Sequence, residues 1–264
     1  MKRHAAALIV LILLACVKPL FAGPPFQLDD PDVIPYHDFE FYIWGGATSA
    51  PGSIGTAGPA IEFNYSGVRN MMFHFVMPAG INIPSDGPTN FGLLDSEFGW
   101  QYRFIQESKL RPMIGTFTMF EIPTGNENKG LGAGGPTVKL PLYAKKTIKG
   151  WDITGGGGEA ITDVSGARDY PFGGVLITHD LGKKLTLGLE SFNHGKQAVD
   201  PSSRYASAID FGGYYTPTKD PDFQILFCYG HTIAGQAENY SYIALYWTGN
   251  VRKKIGALAR RLHP

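Results

Sequence analysis

The stretch "DSEFGWQYRFI", residues 95–105, alternates between two kinds of side chain along most of its length. From Glu97 to Phe104 one parity carries only aromatic residues, and the other carries polar, charged or glycine residues. Successive side chains of a β-strand point to opposite faces, so this stretch predicts a strand with one aromatic and one polar face. The aromatic face must contact either a protein core or another apolar medium, such as lipid. It consists of Phe98, Trp100, Tyr102 and Phe104.

Similar segments recur along the chain, most of them with the same alternation, and their number is twelve, an even count as in a single-chain bacterial barrel. Many have a length near the roughly 9 to 11 residues that a tilted transmembrane strand requires. In two of them, 112–122 and 170–179, the parity assigns no facing. The segments are 39–45, 60–66, 71–81, 94–105, 112–122, 137–146, 151–161, 170–179, 185–194, 206–215, 223–231 and 240–248.

The connections between these segments fall into two classes. Those after even-numbered segments are short, for example 67–70 and 147–150, whereas those after odd-numbered segments are longer and rich in Gly, Pro, Ser and Asn, for example 46–59 and 195–205. Short periplasmic turns and long extracellular loops are the pattern of outer-membrane barrels. This pattern places both termini of the barrel on the periplasmic side.

Large aromatic residues cluster near the short-connection ends of the segments. Such a cluster is typical of an aromatic girdle at the level of the lipid headgroups, although strands of soluble proteins are also rich in aromatic residues. The seven residues are Phe39, Tyr65, Phe104, Trp151, Tyr215, Phe223 and Trp247.

The composition of the 264-residue chain excludes several classes of protein. The chain has 23 basic and 23 acidic residues, a balance that gives no electrostatic footprint for nucleic acid. No apolar run approaches the roughly 18 residues that a transmembrane helix needs. The 34 glycines and 19 prolines favour strands and turns. We expect no nucleic-acid partner and no cofactor.

The N-terminus has the pattern of an export signal. Lys2 and Arg3 precede an apolar run at residues 5–17, and cleavage after Ala22 would remove a signal peptide of residues 1–22. The alternative is lipoprotein processing at Cys16. Cleavage after Ala22 leaves Cys228 as the one cysteine, so the exported protein would have no intrachain disulfide.

Two further segments flank the predicted barrel of residues 39–249. Residues 23–38 are rich in Pro and Asp and do not alternate, so they form either a loose periplasmic lead or a plug in the lumen. Residues 250–264 carry five Lys or Arg residues and form a basic periplasmic tail, either a short helix against anionic headgroups or a disordered segment.

The inward parity of the strands collects a set of polar and ionisable residues. They are either the paired filling of a barrel, because isolated charges away from water are costly, or a polar path that guides a solute. The candidate lumen-lining residues are Glu62, His74, Glu97, Gln101, Arg103, Lys139, Lys145, Asp152, Glu190 and Asp210.

No catalytic or metal-binding motif stands out in the sequence. The Gly-x-Ser-x-Gly pattern of a nucleophile elbow is absent, and the histidines lack the spacing of metal ligands. Ser191 and His194 are close in sequence, which leaves a membrane-embedded lipid hydrolase as an alternative, but no acid or Asn is placed to complete a triad. We therefore predict no catalytic, cofactor-binding or metal-binding residues.

Several motifs give the chain a family resemblance. They include "GPPFQLDDPD" (23–32), "WQYRFIQE" (100–107), "EIPTGNENKGLGAGG" (121–135) and "DLGKKLTLGLESF" (180–192). In their order the chain resembles the outer-membrane transporters of the meta-pathway of phenol degradation. The resemblance implies a β-barrel in the outer membrane that acts as a channel for small or hydrophobic solutes, and it implies no catalytic residues.

Together these patterns predict an all-β protein, a transmembrane antiparallel up-and-down β-barrel of about 12 strands. The expected partners are outer-membrane lipid and a small-molecule solute, aromatic or hydrophobic in character; the pattern does not define an oligomeric state. The alternatives are a closed structural or interaction barrel with partner-binding loops, a lipid hydrolase and, at the level of the fold, an exported β-sandwich.

Overall fold

The structure, a computed structural model, describes residues 25–251. The predicted signal peptide, the alternative lipidation site at Cys16 and most of the basic tail lie outside the described residues. The strands are β1 (Asp38–Ala50), β2 (Ser53–Val68), β3 (Met71–Pro84), β4 (Asn90–Leu93), β5 (Ser96–Ile105), β6 (Met113–Ile122), β7 (Thr137–Ile148), β8 (Trp151–Thr162), β9 (Tyr170–Asp180), β10 (Leu185–His194), β11 (Ala206–Tyr215), β12 (Phe223–Gly235) and β13 (Asn239–Asn250). A short 3₁₀ helix, Glu127–Lys129, lies between β6 and β7.

The strands form one closed antiparallel barrel. Sequence neighbours pair with each other around the sheet, and β1 closes the barrel by pairing with both β2 and β13. Strands β4 and β5 pair with successive parts of β3, so they form one barrel strand that is interrupted at Leu94 and Asp95. The Asp95 carboxylate accepts hydrogen bonds from the backbone N–H groups of Gly125 and Ala133, which ties this break to the long β6–β7 connection. The prediction of an all-β, 12-stranded up-and-down barrel is confirmed.

One connection differs from the prediction. Residues 46–59 do not form a long loop, because β1 and β2 continue to pair as far as Ala50 and Ser53 and are joined by Pro51 and Gly52 alone. The small residues of this stretch do not alternate in polarity. The sequence pattern therefore did not indicate this strand pairing, which depends on backbone hydrogen bonds. Gly52 has φ 92°, which a tight turn requires and which residues with a Cβ rarely adopt.

The outer surface of the barrel is apolar. In β5 the aromatic parity is exposed, with Phe104 at 55% accessibility, whereas the inward Gln101 is only 3% accessible. Soluble proteins rarely expose contiguous apolar patches larger than a few hundred Å², so this surface fits the hydrocarbon of a membrane. Other exposed residues of the outer face include Phe63, Phe75, Leu142, Phe211 and Ile243.

The two strands of ambiguous parity also obtain a definite facing. In β6 Met113 and Phe117 are buried inward, and in β9 Phe172 and Leu176 are buried inward. Within residues 25–251, no helix combines the length and the apolar character that crossing a bilayer requires.

A segment of the chain that precedes the first strand lies inside the barrel. We call residues 25–37 the N-terminal segment. Its Phe26 and Leu28 are almost completely buried, and its polar groups contact inward-facing side chains of several strands. Glycines in the wall leave room for it: a Cβ at Gly188 would lie 2.5 Å from Phe26 Cζ, and a Cβ at Gly115 would lie 3.0 Å from Pro31 Cβ.

Candidate functional site

Four of the predicted lumen-lining residues form one buried polar network. His74 Nε2 lies 2.8 Å from Glu97 Oε1, and His74 Nδ1 lies 2.7 Å from Asn64 Oδ1. The Asn64 side-chain amide donates to Glu62 Oε1 at 3.1 Å, and Lys139 Nζ lies 3.7 Å from Glu97 Oε2. The network links the neighbouring strands β2, β3 and β5, and reaches β7, along the inner face of the wall.

Four others lie close to the short-connection end of the barrel. Lys145 Nζ contacts Asp30 Oδ2 of the N-terminal segment at 2.9 Å and lies 3.9 Å from Asp152 Oδ2. Arg103 Nη1 lies 3.3 Å from Asp32 Oδ1. The fourth, Gln101, donates its side-chain amide to the backbone carbonyl of Asp30. The Lys145 and Arg103 cations are thus paired with carboxylates of the segment.

The last two candidates, Glu190 and Asp210, face each other across β10 and β11. Glu190 accepts hydrogen bonds from the backbone N–H groups of Gln27 (2.8 Å) and Leu28 (2.6 Å). Asp210 Oδ2 accepts a 2.7 Å bond from the Gln27 side-chain amide. Both carboxyl groups are almost completely buried. A Cβ at Gly230 would collide with Asp210 Oδ1, so the glycine makes this position of the carboxylate possible.

The acidic residues of the N-terminal segment did not enter the predicted set of lumen-lining residues, because the segment does not alternate. Burial raises the pKa of Asp29 to about 7, with a further contribution from nearby Glu97, whereas Lys139 and His74 act in the opposite direction. Burial also raises the pKa of Asp32, and its neighbour Asp30 adds to the effect. Protonation of these carboxyl groups is therefore coupled to docking: the docked segment binds their protons more tightly than the released segment does.

Glu40 is a further interior residue that the prediction missed. It lies on β1 with the same parity as the buried Tyr42 and Trp44, so the alternation of that strand contained the signal. Its carboxylate accepts hydrogen bonds from Asn64 Nδ2 (3.0 Å) and from the hydroxyl groups of Tyr42 (3.1 Å) and Tyr246 (2.9 Å).

Two cavities lie on either side of the contact between Gln27 and the pair Glu190 and Asp210. The large cavity, of about 700 Å³, is lined by the N-terminal segment and by strand residues near the short connections, including Glu40 and Arg103. The small cavity, of about 30 Å³, is lined by Gln27 and by strand residues near the long connections. The N-terminal segment thus separates the two cavities.

Ser191 and His194, on which the hydrolase alternative rests, do not come together. On β10 the buried Glu190 and Phe192 share the parity of His194, whereas the exposed Leu189 shares the parity of Ser191. His194 therefore faces the interior, where Nε2 lies 3.9 Å from Glu238, and Ser191 faces outward. Among residues 25–251, no group of three or more His, Cys, Asp or Glu residues is arranged to hold a metal ion.

Solved structures of bacterial outer-membrane proteins share this architecture. An outer-membrane channel from Pseudomonas putida F1 superposes with a TM-score of 0.70 at 12% identity, covering 85% of this chain and 100% of that chain. The NanC porin has a TM-score of 0.51 at 13% identity, covering 78% of this chain and 98% of its own. The translocator domain of the autotransporter NalP from Neisseria meningitidis has a TM-score of 0.52 at 10% identity, covering 93% of this chain and 96% of that domain.

The sequence itself matches no family model and no curated protein. At such identities the structural likeness establishes the fold alone. The chain has the fold of a bacterial outer-membrane β-barrel, as the sequence resemblance implied.

Proposed function

We propose that the protein is a channel of the bacterial outer membrane that transports small solutes, aromatic or hydrophobic in character, and that it is not an enzyme. The observation that carries the proposal is the pair of cavities in a closed barrel, separated by one segment of the chain. The apolar outer face supports the membrane location, and the fold of the Pseudomonas putida channel supports the activity. Export through a cleaved signal peptide, residues 1–22, is part of the same proposal.

The candidate solute path is the set of ten lumen-lining residues named in the sequence analysis, of which Glu62 is the first and Asp210 the last. In this role the N-terminal segment is the plug of the path. Its polar contacts are a few hydrogen bonds and ion pairs, such as those of Gln27 with Asp210 and of Asp30 with Lys145, and its apolar contacts are those of the buried Phe26 and Leu28. Such contacts can break without disturbing the barrel. The segment shares backbone hydrogen bonds with the wall at its C-terminal end, where the His37 N–H donates to the Ser66 carbonyl, and the wall strands otherwise pair with one another.

A replacement of the segment tests this function. Residues 25–37 are replaced with a Gly/Ser linker of equal length, and the purified protein is reconstituted in liposomes and in planar bilayers. We expect the linker variant to show higher single-channel conductance than the wild type and faster uptake of phenol and benzoate. The matched control is Asp86→Asn, a change in an exposed loop. The channel proposal fails if neither the wild type nor the linker variant conducts or admits solute.

A closed structural or interaction barrel is the second candidate. The observation that favours it is the pairing of Lys145 and Arg103 with acidic residues of the N-terminal segment, which fills part of the lumen. The same bilayer experiment separates the two candidates, because a structural barrel needs no conducting state.

The face assignment of β10 supports the proposal that the barrel is not a hydrolase. With Ser191 on the lipid side and His194 on the lumen side, no proton can pass directly between them. Phospholipid turnover by the purified protein that disappears in a Ser191→Ala variant would contradict this part of the proposal.

A further inference from the structure

The large cavity differs from a simple water-filled lumen in its chemistry. Aromatic and aliphatic side chains, among them Tyr214, Leu226 and Met72, line much of its wall. Its volume of about 700 Å³ falls within the roughly 300 to 1,000 Å³ that is typical of small-molecule sites. A solute in this cavity would contact apolar groups and a small number of fixed polar groups, as in a binding site.

The ionisable groups of the cavity are unequally paired. Asp30 and Asp32 already have cationic partners, because Lys145 Nζ lies 2.9 Å from the first carboxylate and Arg103 Nη1 lies 3.3 Å from the second. The half-buried Glu40 is different. Its hydrogen-bond donors are all neutral, and within residues 25–251 no Lys, Arg or His side chain forms an ion pair with it.

Three tyrosines line the same cavity as this carboxylate. The rings of Tyr42 and Tyr246 lie 4.8 Å apart between centroids, and the hydroxyl group of each donates to Glu40. Tyr214, which packs against Phe26 with a centroid distance of 6.4 Å, lines the same cavity. Ammonium groups bind favourably next to a carboxylate and tyrosine rings, because both the negative charge and the ring faces attract a cation.

We propose that the large cavity is a binding site for a protonated organic amine with an apolar body. The ammonium group binds at Glu40, and the apolar body contacts Tyr214, Leu226 and Met72. Organic carboxylates bind poorly, because the acidic residues that line the cavity outnumber its one basic residue, Arg103. This inference rests on the proposed channel only in that the amine reaches the cavity through the lumen.

Binding of matched ligands to the purified full barrel in a neutral detergent tests the inference. The probes are 2-phenylethylamine, 2-phenylethanol and 3-phenylpropionate, which share one ring and differ mainly in charge. We expect calorimetry to show that the amine binds about tenfold or more tightly than the alcohol, the ratio for one hydrogen bond to a charged group, and that the carboxylate binds most weakly. Empty micelles give the background from partition into detergent.

Variants at Glu40 decide whether this residue is responsible. Glu40→Gln keeps the size and the acceptor oxygen, so we expect it to remove the preference for the amine and to leave binding of the alcohol unchanged. Glu40→Asp, which keeps the charge, should retain the preference, and so should the surface control Asp86→Asn. Heat-dependent gel mobility checks that each variant is folded. Equal affinities for amine and alcohol in the wild type, or a preference that persists in Glu40→Gln, would overturn the inference.

The outcomes also separate this inference from the channel proposal. If the three probes permeate liposomes and the wild type shows no binding preference, the channel stands and the amine site fails. If no probe permeates but binding of the amine depends on Glu40, the site stands and the channel fails.

Discussion

Replacing Phe26 with alanine should release the N-terminal segment from the lumen. Phe26 is the largest fully buried side chain of the segment, with 1% of its surface accessible, and its ring packs against Tyr214 and over Gly188. Truncation of a buried Phe to Ala costs about 3 to 5 kcal/mol. The loss falls on docking rather than on barrel stability, because the hydrogen-bonded wall does not include Phe26.

The free-energy loss in Phe26→Ala can be expressed as a change in the populations of docked and released segment. Each 1.4 kcal/mol is about a factor of ten in an equilibrium constant, so Phe26→Ala should lower the ratio of docked to released segment by about two to three and a half orders of magnitude. Single-channel recording in planar bilayers measures the change as longer or more frequent open states. Heat-dependent gel mobility should remain that of a folded barrel.

Gly188→Ala supplies the matched partner for a double-mutant cycle. Its added Cβ would lie 2.5 Å from Phe26 Cζ, so we expect overpacking of about 1 to 3 kcal/mol that also favours the open channel. In the Phe26→Ala background the same change should have little further effect on docking, since the ring is gone and the remaining close contact, 2.9 Å to Thr178 Cγ2, lies within the wall. The reasoning is refuted if the two effects on open probability are additive, or if Phe26→Ala leaves the conductance unchanged.

Three other predictions concern the barrel wall and the segment. Trp100→Lys should hinder folding into lipid vesicles far more than Gln101→Lys, because a lysine on the lipid face costs about 2 to 4 kcal/mol at the midplane; equal folded yields would mean that the faces are assigned wrongly. Docking raises the pKa of Asp29 from 3.8 to about 7, so docking is strongest below pH 4 and weakens as the pH rises from 4 to 7. Open probability should therefore rise over that interval, and the rise should be smaller in Asp29→Asn, where Asp32, whose pKa is also raised, remains. An identical pH profile in the variant contradicts this. Gly156→Val should lower the folded yield by forcing a Cβ against a carbonyl oxygen of β7, whereas Gly155→Val, whose nearest neighbour is 3.7 Å away, should fold like the wild type in a urea titration; the explanation fails if both fold alike.

Much of the wall could be predicted from the alternation of side chains. In residues 95–105 the parity of Phe98 and Phe104 gave the exposed face and that of Gln101 gave the buried face, as the structure has them. The prediction failed for residues 46–59, where small residues pair through their backbones and carry no polarity pattern. Backbone hydrogen bonds are available to any sequence, so such a pairing leaves little trace in composition.

The strand β7 shows a second limit of the sequence pattern. Its pairing with β6 is interrupted between Gly115–Tyr143 and Met119–Lys139, where Pro141 has no N–H to donate. The Thr116 hydroxyl donates to the Pro141 carbonyl at 2.6 Å and bridges this gap. The proline was visible in the sequence, but which neighbouring strand loses its hydrogen bonds depends on the register.

The sequence by itself determined that the outer face of the barrel is apolar, and it determined the number of barrel strands. Both follow from local alternation and from the lengths of the connections. It also identified inward-facing charges such as Glu190 and Asp210. Only the tertiary structure decided what these charges contact. The bonds of Glu190 and Asp210 to Gln27 join residues more than 160 positions apart, and no local pattern encodes such a distance. For the same reason, the cavity at Glu40 became visible only once β1, β2 and β13 were side by side and the N-terminal segment lay between them.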